Sequence, residues 1–212
     1  MKTSNLITAL AADAARPVVP QSRYWLAAAL AAVVVAAIVF FATIGPRPDI
    51  AAAAGTPRFL FKFVVTLALA GSALFVLDRL ARPGAARRGS LGWLLAAPAL
   101  LAAAIGVELL TQPEAQWQML AVGKNSVVCL TYIPVIGIGP LALFILALRR
   151  GAPTRPGLAG LVAGFVAGGI AATLYAAHCT DDSPLFVATW YTLAVAMLGA
   201  AGGVAGRLFV RW

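Results

Sequence analysis

Charged side chains are scarce in this sequence. Only 11% of its 212 residues are Asp, Glu, Lys or Arg and 62% are hydrophobic, whereas an average soluble domain carries about 25% charged residues. The chain also has one histidine, two cysteines and no Cys-x-x-Cys, His-Glu-x-x-His or phosphate-binding glycine loop. These absences exclude an ordinary soluble domain and the common metal and cofactor motifs. We therefore expect no enzymatic activity and no resident cofactor.

Long apolar runs take the place of the missing charges. A helix needs about 20 apolar residues to cross the hydrocarbon core of a bilayer. Six segments meet that length: Tyr24–Ile44, Leu60–Leu80, Leu91–Leu110, Ser126–Leu148, Gly157–Ala177 and Pro184–Gly206. Lys62 and Asp78 interrupt the second run about one turn from its ends, where long or paired side chains can reach the interface. The sequence predicts an all-α, polytopic membrane protein with six transmembrane helices.

Lysine and arginine are unevenly divided between the two sides of these helices. Most of the 16 lie in the N-terminal tail, the second and fourth loops and the C-terminus, and the other side holds Arg47, Arg58, Lys62 and Lys124. The positive-inside rule then predicts that both termini are cytoplasmic. We interpret the net charge of +9 as this topology signal and as contact with lipid headgroups, and we expect no binding of nucleic acid.

The chain divides into a cytoplasmic tail, residues 1–23, and a membrane domain, residues 24–212. The first apolar run is longer than the roughly 7 to 15 residues of a signal-peptide core, so we expect it to be retained. Within the tail, Leu6, Ile7 and Leu10 recur at helical spacing and predict a short amphipathic helix. Such a helix binds a partner protein or lies in the headgroup layer, and the residues do not decide between the two.

The run HCTDD, residues 178–182, gathers the only histidine, one cysteine and two acids. Asp182, Ser183 and Pro184 have the form of a helix start, with Asp or Ser as the cap, which gives the acids a structural reason. His178 and Cys179 have no such reason. Cys129 lies near the start of the fourth span, at the same side of the membrane. The short connection at residues 149–156 predicts that the fourth and fifth helices are antiparallel neighbours, so we expect the two thiols to lie close together.

The cysteine pair is compatible with several chemical states. It can be a disulfide, a free dithiol, or a soft-metal site completed by His178 with Glu108, Asp181 or Asp182. It can also be a pair of inert, buried thiols, because free cysteine is among the most buried residue types. The sequence leaves these alternatives open.

Small residues and prolines mark the last three spans. Glycines recur at every fourth position, which lets helix backbones approach closely in lipid: Gly160, Gly164 and Gly168 in the fifth span, and the pairs Gly199 with Gly203 and Gly202 with Gly206 in the sixth. We favour packing within one chain over packing between two copies, and the oligomeric state stays open. Pro134 and Pro140 predict a bend in the fourth span.

Six segments of the chain resemble one known family. They are NLITALAADA in the tail, GPRPD after the first span, PRFLFK at the second, NSVVCL in the fourth, LRRGAPTRP between the fourth and fifth, and YAAHCTDDSPLFVATWYTLA across the last hairpin. Together they resemble the NrsF family of membrane-bound anti-sigma factors over essentially the whole chain. The resemblance implies a six-helix protein of the bacterial inner membrane that holds an extracytoplasmic-function sigma factor inactive.

The same resemblance implies a role for both cysteines. In that family a periplasm-facing pair serves stress sensing, and Cys129 and Cys179 match it. His178, Asp181 and Asp182 lie in the matching stretch without an assigned role. We expect a regulator whose partners are a sigma factor and the lipid bilayer. Its thiol pair senses oxidants or soft metals, and soft metals bind it transiently.

Two other functions remain as alternatives. A thiol oxidoreductase needs a reactive Cys-x-x-Cys and a shuttle pair, which two isolated cysteines do not supply. A transporter places charged groups near the middle of the bilayer, and every ionisable residue within these spans lies close to an end. The regulator is therefore favoured.

Overall fold

The structure, a computed structural model, describes residues 3–14, 21–82 and 89–210 and contains no strand among them. The helices are α1 (Thr3–Ala14), α2 (Gln21–Thr43), α3 (Ile50–Ala53), α4 (Pro57–Leu80), α5 (Ala96–Thr111), α6 (Glu114–Val122), α7 (Ser126–Leu148), α8 (Pro156–Ala176), α9 (Pro184–Phe186) and α10 (Thr192–Phe209), with a 3₁₀ turn at Ser90–Leu95 and a π turn at Val187–Tyr191.

Six of the helical segments are long and apolar enough to cross a membrane, which confirms the predicted fold class. Their bounds are Arg23–Thr43, Pro57–Leu80, Ser90–Thr111, Ser126–Leu148, Pro156–Ala176 and Pro184–Phe209. The second span begins three residues earlier than predicted because Pro57 takes the first helical position behind the extended Thr56, where a missing N–H costs no hydrogen bond. Arg58 therefore belongs to α4.

Helix α8 lies at the centre of the bundle and packs against α4, α7 and α10. Its contact with α10 depends on glycine: a Cβ on Gly164 would collide with the carbonyl oxygen of Leu198, and one on Gly160 with that of Gly202. Backbones this close allow extensive dispersion contact in lipid. The glycine spacing thus serves packing within the chain, as favoured above, and α7 and α8 are neighbours as the short connection predicted.

Helices α2 and α5 lie at the periphery. Each is only 17% buried over its most apolar stretch, and large side chains such as Phe41 and Leu110 point outward. Outward-facing apolar side chains are expected where a helix meets lipid tails instead of water.

The bundle has two chemically different ends. The cysteine end carries Cys129 and Cys179, and the arginine end carries the described residues Arg79, Arg82, Arg149, Arg150, Arg155 and Arg207. At the arginine end the Arg150 guanidinium lies 5.2 Å from the centre of the Tyr24 ring, so the start of α2 and the end of α7 meet there. The assignment of the arginine end to the cytoplasm stays a prediction.

The tail contains a helix, α1, at Thr3–Ala14. Ile7 is 62% exposed, while the side chains of Leu6 and Leu10 lie outside the described part of the structure. The role of this helix and the division into tail and membrane domain therefore stay predictions.

Candidate functional site

The site is built around the Cys179 loop, residues 177–183, which joins α8 to α9. The N–H groups of His178 and Cys179 both donate to the Tyr175 carbonyl, at 2.9 and 3.0 Å, and turn the chain off the end of α8. Ser183 then starts α9, because its Oγ accepts a hydrogen bond from the Leu185 N–H at 3.1 Å. Of the two caps that the sequence suggested, Ser183 is the one used. Asp182 is thereby left to bind elsewhere.

Both cysteines are free thiols and fully buried. The Cys179 Sγ donates to the Asp181 carbonyl oxygen at 3.7 Å, and both cysteines belong to the same cluster of buried residues. The hydroxyl groups of Tyr175 and Tyr191 lie beside Cys179, although neither makes a hydrogen bond of standard geometry with a described residue. Burial raises the pKa of the Cys179 thiol. Of the states left open by the sequence, the structure holds the buried dithiol.

Lys62 binds the Cys179 loop from α4. Its ammonium group donates to the Cys179 carbonyl at 2.8 Å and pairs with Asp182 Oδ1 at 2.5 Å. Lys62 is 0% exposed, so its side chain reaches this end of the span as the buried member of an ion pair, which is the paired alternative that the sequence allowed. A buried ammonium is tolerated only with a counter-ion and satisfied donors, and the Cys179 loop supplies both.

Arg47, in the connection between α2 and α3, binds the same loop from the other side. Its guanidinium donates to the Cys179 carbonyl at 3.3 Å and to Asp182 Oδ2 at 3.1 Å, and it also forms two bonds to Asp49 at 2.6 and 2.7 Å. These bonds raise the pKa of Arg47 further and lower that of Asp49. Contact of Arg47 and Lys62 with the Cys179 loop was not predicted from the sequence, in which Arg47 served only to assign topology.

Asp181 attaches the loop to α7. Its Oδ2 accepts hydrogen bonds from the N–H groups of Lys124 and Asn125, at 3.0 and 2.8 Å, and from Asn125 Nδ2 at 2.9 Å. Asn125 uses its side chain for this contact and makes no capping hydrogen bond to α7. Gly123, with φ of 60°, allows the close turn, since a Cβ there would lie 2.8 Å from Asp181 Cγ.

Glu108 and His178 complete the contacts of the loop. Glu108 is 2% exposed; its Oε2 accepts from Ser183 Oγ at 2.6 Å and from the Leu185 N–H at 3.1 Å, and its Oε1 pairs with Arg58 at 3.2 Å. His178 Nδ1 lies 2.9 Å from the Gly45 carbonyl oxygen, and only the tautomer protonated at Nδ1 can donate this bond. Both side chains thus hold the loop in place.

The candidate metal ligands are not gathered into one site. Among residues 3–14, 21–82 and 89–210, no group of three or more His, Cys, Asp and Glu side chains is placed to hold a metal ion. Glu108, Asp181 and Asp182 each bind a cation or a backbone donor instead. A metal site that included these carboxylates would require the Cys179 loop to rearrange.

The whole chain is similar to known regulators of transcription. A family model described as "Negative regulator of sigma F" matches residues 10–212. The chain belongs to the NrsF family. It is 40% identical over 217 residues to the Anti-sigma-F factor NrsF of Caulobacter vibrioides (strain NA1000 / CB15N), and 34% identical over 218 residues to the Probable anti-sigma-F factor NrsF of Azospira oryzae (strain ATCC BAA-33 / DSM 13638 / PS), with 100% of both chains covered in each comparison.

No solved structure matches this NrsF chain. The family resemblance read from the sequence is confirmed, and the NrsF family is a regulatory kind of protein. The geometry adds that, in this member, the loop carrying Cys179 is bound by residues of four other elements.

Proposed function

We propose that this protein is a membrane-embedded anti-sigma factor of the bacterial inner membrane. It binds an extracytoplasmic-function sigma factor at its cytoplasmic face and releases it when the cysteine pair reacts. The observation that carries the role is similarity over the full length to two relatives named as anti-sigma-F factors. Full coverage of both chains supports transfer of the role to the whole protein instead of one part.

The proposed orientation places the cysteine end in the periplasm. Sigma factor then meets the arginine end, and the proposed contact is the apolar face of α1, with Leu6, Ile7 and Leu10. The 62% exposure of Ile7 and the mainly apolar sequence of α1 support a helix that docks through its side chains.

The proposed signal is a change of the two thiols. A two-electron oxidant removes two electrons and two protons from Cys129 and Cys179 and leaves a disulfide, whereas a soft metal ion binds both thiolates and displaces two protons. Either product fixes α7 to the Cys179 loop, since a disulfide holds its Cα atoms about 4.4 to 6.8 Å apart. Switching sigma from almost fully bound to almost fully free requires a coupling of about 5.5 kcal/mol, and about 1 to 3 kcal/mol gives a graded response.

Copurification tests the role directly. The detergent-solubilised protein, expressed with the extracytoplasmic sigma factors of its host, should retain one of them, and oxidant should release it. The variant Tyr132→Phe serves as a control for the purification: it keeps both thiols and should retain and release the sigma factor as the wild type does. Failure of every sigma factor to copurify with untreated protein would contradict the proposal.

Serine substitutions test the sensor. Cys129→Ser and Cys179→Ser should each abolish release by stress while sigma stays bound, and the double variant should behave like either single one, because both thiols form one product. Sigma-dependent reporter transcription measures this. Stress responses of wild-type size in both single variants would make the thiols inert core residues.

The alternative functions receive less support from the geometry. A thiol oxidoreductase needs an accessible thiolate, whereas both cysteines are fully buried and burial raises the pKa of Cys179. A transporter needs charged groups along a path, whereas the buried charges Lys62 and Glu108 lie at the cysteine end and are paired there.

A further inference from the structure

Lys62 is the most completely buried cation of the described residues, with 0% exposure. Two acceptors of the Cys179 loop surround its ammonium group: the carbonyl of Cys179 itself and the carboxylate of Asp182. A buried lysine carries a large desolvation cost unless its charge and donors are matched. The position of the Cys179 loop therefore determines whether the charge and donors of Lys62 are matched.

We infer that Lys62 is the positioning residue of the sensor: from α4 it holds the Cys179 loop in the conformation that keeps the thiols buried and the sigma factor bound. The inference rests on the proposed function and adds the residue through which a change at the thiols reaches the rest of the bundle.

Arg47 binds the same two groups but is less suited to this role. It divides its donors between Asp182 and Asp49, and Asp49 is 56% exposed. If Arg47 loses the Cys179 loop, it keeps a counter-ion that is already in contact with water. Lys62 has no second carboxylate among its described contacts, so movement of the loop leaves its charge unmatched.

Helix α4 connects the Cys179 loop to the other end of the molecule, so movement of the loop can reach that end. It extends without interruption from Pro57 to Leu80 and packs along α8. Directly after it, the Ala81 carbonyl accepts a hydrogen bond from the Ala152 N–H at 3.2 Å. Ala152 belongs to the arginine-rich connection between α7 and α8. One rigid helix thus joins the Cys179 loop to the connection that faces the proposed sigma side.

The contact between the Lys62 ammonium and the Cys179 loop allows two distinct arrangements, one with the loop bound and one with the loop displaced. With the loop bound, the ammonium has a carboxylate and a carbonyl; with the loop displaced, it must shift toward water at the cysteine end and take the start of α4 with it. Intermediate positions leave a buried charge without partners, which is the least favourable condition. An equilibrium of this kind is what an effector can bias.

Substitutions of Lys62 test the inference in the full-length protein, in its native membrane and after solubilisation in detergent. Lys62→Met removes the ammonium, and sigma-dependent reporter transcription without stress should rise at least about fivefold, the lower bound of a typical coupling. In a Cys129→Ser background, alkylation of Cys179 by N-ethylmaleimide in the folded, solubilised protein should rise as well. Lys124→Met removes the same charge from an exposed side chain at the same end and keeps the backbone N–H that binds Asp181, so it should change neither measurement.

Conservative variants separate positioning from general stability. Lys62→Arg keeps a cation and donors and should stay within about twofold of wild type, while Lys62→Gln keeps a donor for the Cys179 carbonyl without the charge and should fall between Arg and Met. Asp182→Asn provides a second route, since it weakens the same contact without changing α4, and should also raise unstressed transcription.

The results that overturn the inference are specific. If Lys62→Met and Asp182→Asn accumulate in the membrane and both show wild-type transcription and alkylation, Lys62 does not position the sensor. If Lys62→Met fails to accumulate, wild-type behaviour of Lys62→Gln and Asp182→Asn overturns it instead. Failure of the proposed function is distinguishable, because in that case the wild-type protein itself retains no sigma factor.

Discussion

At the residue scale, the chemistry of Cys179 depends on its surroundings. Its thiol lies beside the hydroxyl groups of Tyr175 and Tyr191 in the core cluster that also contains Cys129, while its carbonyl accepts from two cations. Burial disfavours the thiolate and raises the pKa, and the positive charge of Lys62 opposes part of that effect. A thiol in such a place is protected in the resting protein.

Alkylation kinetics should show this protection. In a Cys129→Ser background, iodoacetamide should modify Cys179 of the folded protein at least about tenfold more slowly at pH 8 than in the denatured protein, because only the thiolate reacts. Since the pKa in the folded state is raised, the rate should continue to rise with pH beyond the value at which the denatured protein levels off. Equal rates and equal pH profiles would contradict the burial of this thiol. Mass spectrometry of the modified peptide provides the measurement.

Residue identity predicted part of this site and not the rest. Cys129, Cys179 and Ser183 could be singled out because their types are unusual or have a local role in starting a helix. The pairing of Lys62 with Asp182 could not, since it joins residues far apart in the chain and depends on how α4 packs beside α8. Local spacing contains no information on such contacts, so the sequence allowed Lys62 to be paired without naming its partner.

At the scale of elements, the pattern of apolar runs was sufficient to predict six spans. It did not predict the π turn at Val187–Tyr191 or the short helix α6, at Glu114–Val122. A π turn differs from the α-helix by one residue in its hydrogen bonding, which composition does not show. Helix α6 is held by contacts with distant residues, such as the bond from Trp190 Nε1 to the Ala121 carbonyl at 2.9 Å.

The contact between α8 and α10 should be sensitive to a single methyl group. Gly164→Ala places a Cβ against the backbone of Leu198 and Gly199, and helices must separate to accept it, so we expect a loss of about 1 to 3 kcal/mol. Gly203→Ala is the matched control, because its Cβ would meet its nearest neighbour at 3.6 Å, an ordinary contact. Thermal unfolding in detergent measures both. A Gly164→Ala protein as stable as the control would show that the helices are further apart.

The tail helix α1 should be needed for sigma binding and not for insertion. Replacing Leu6 and Leu10 by Asp removes two apolar side chains of the predicted stripe, and reporter transcription should rise in unstressed cells while the protein remains in the membrane. Thr3→Asp and Ser4→Asp together add the same charge at the start of the helix and serve as the control. Unchanged sigma retention in the Leu6 and Leu10 variant would assign binding to the arginine-rich loops.

At the scale of the whole molecule, the two ends of the bundle differ in how their positive charges are distributed and paired. The arginine end carries an excess of arginine over acidic residues, which suits anionic headgroups, whereas the cations Arg47, Arg58 and Lys62 at the cysteine end are paired with acids. The count of lysine and arginine along the sequence showed that most of the positive charge lies on one side of the membrane. The structure adds that the minority cations bind the Cys179 loop and Glu108.

Labelling of single cysteines should establish which end of the bundle faces the periplasm. Two single-cysteine variants are made in a Cys129→Ser, Cys179→Ser background. One is Lys124→Cys, on the cysteine end, and the other is Arg155→Cys, on the arginine end. In intact spheroplasts a membrane-impermeant maleimide should modify only the cysteine at 124, because the positive-inside rule places the arginine end in the cytoplasm. The reverse pattern would invert the molecule and remove the periplasmic sensor from the proposal.

The complete burial of both thiols also has a consequence for timing. A reagent can reach them only while the Cys179 loop is transiently open, and such local openings have their own frequency. When reagent is abundant, that frequency limits the reaction, and a higher dose no longer makes it faster. The protein would then respond to how long a stress lasts more than to how strong it is, and brief exposures would leave the sigma factor bound.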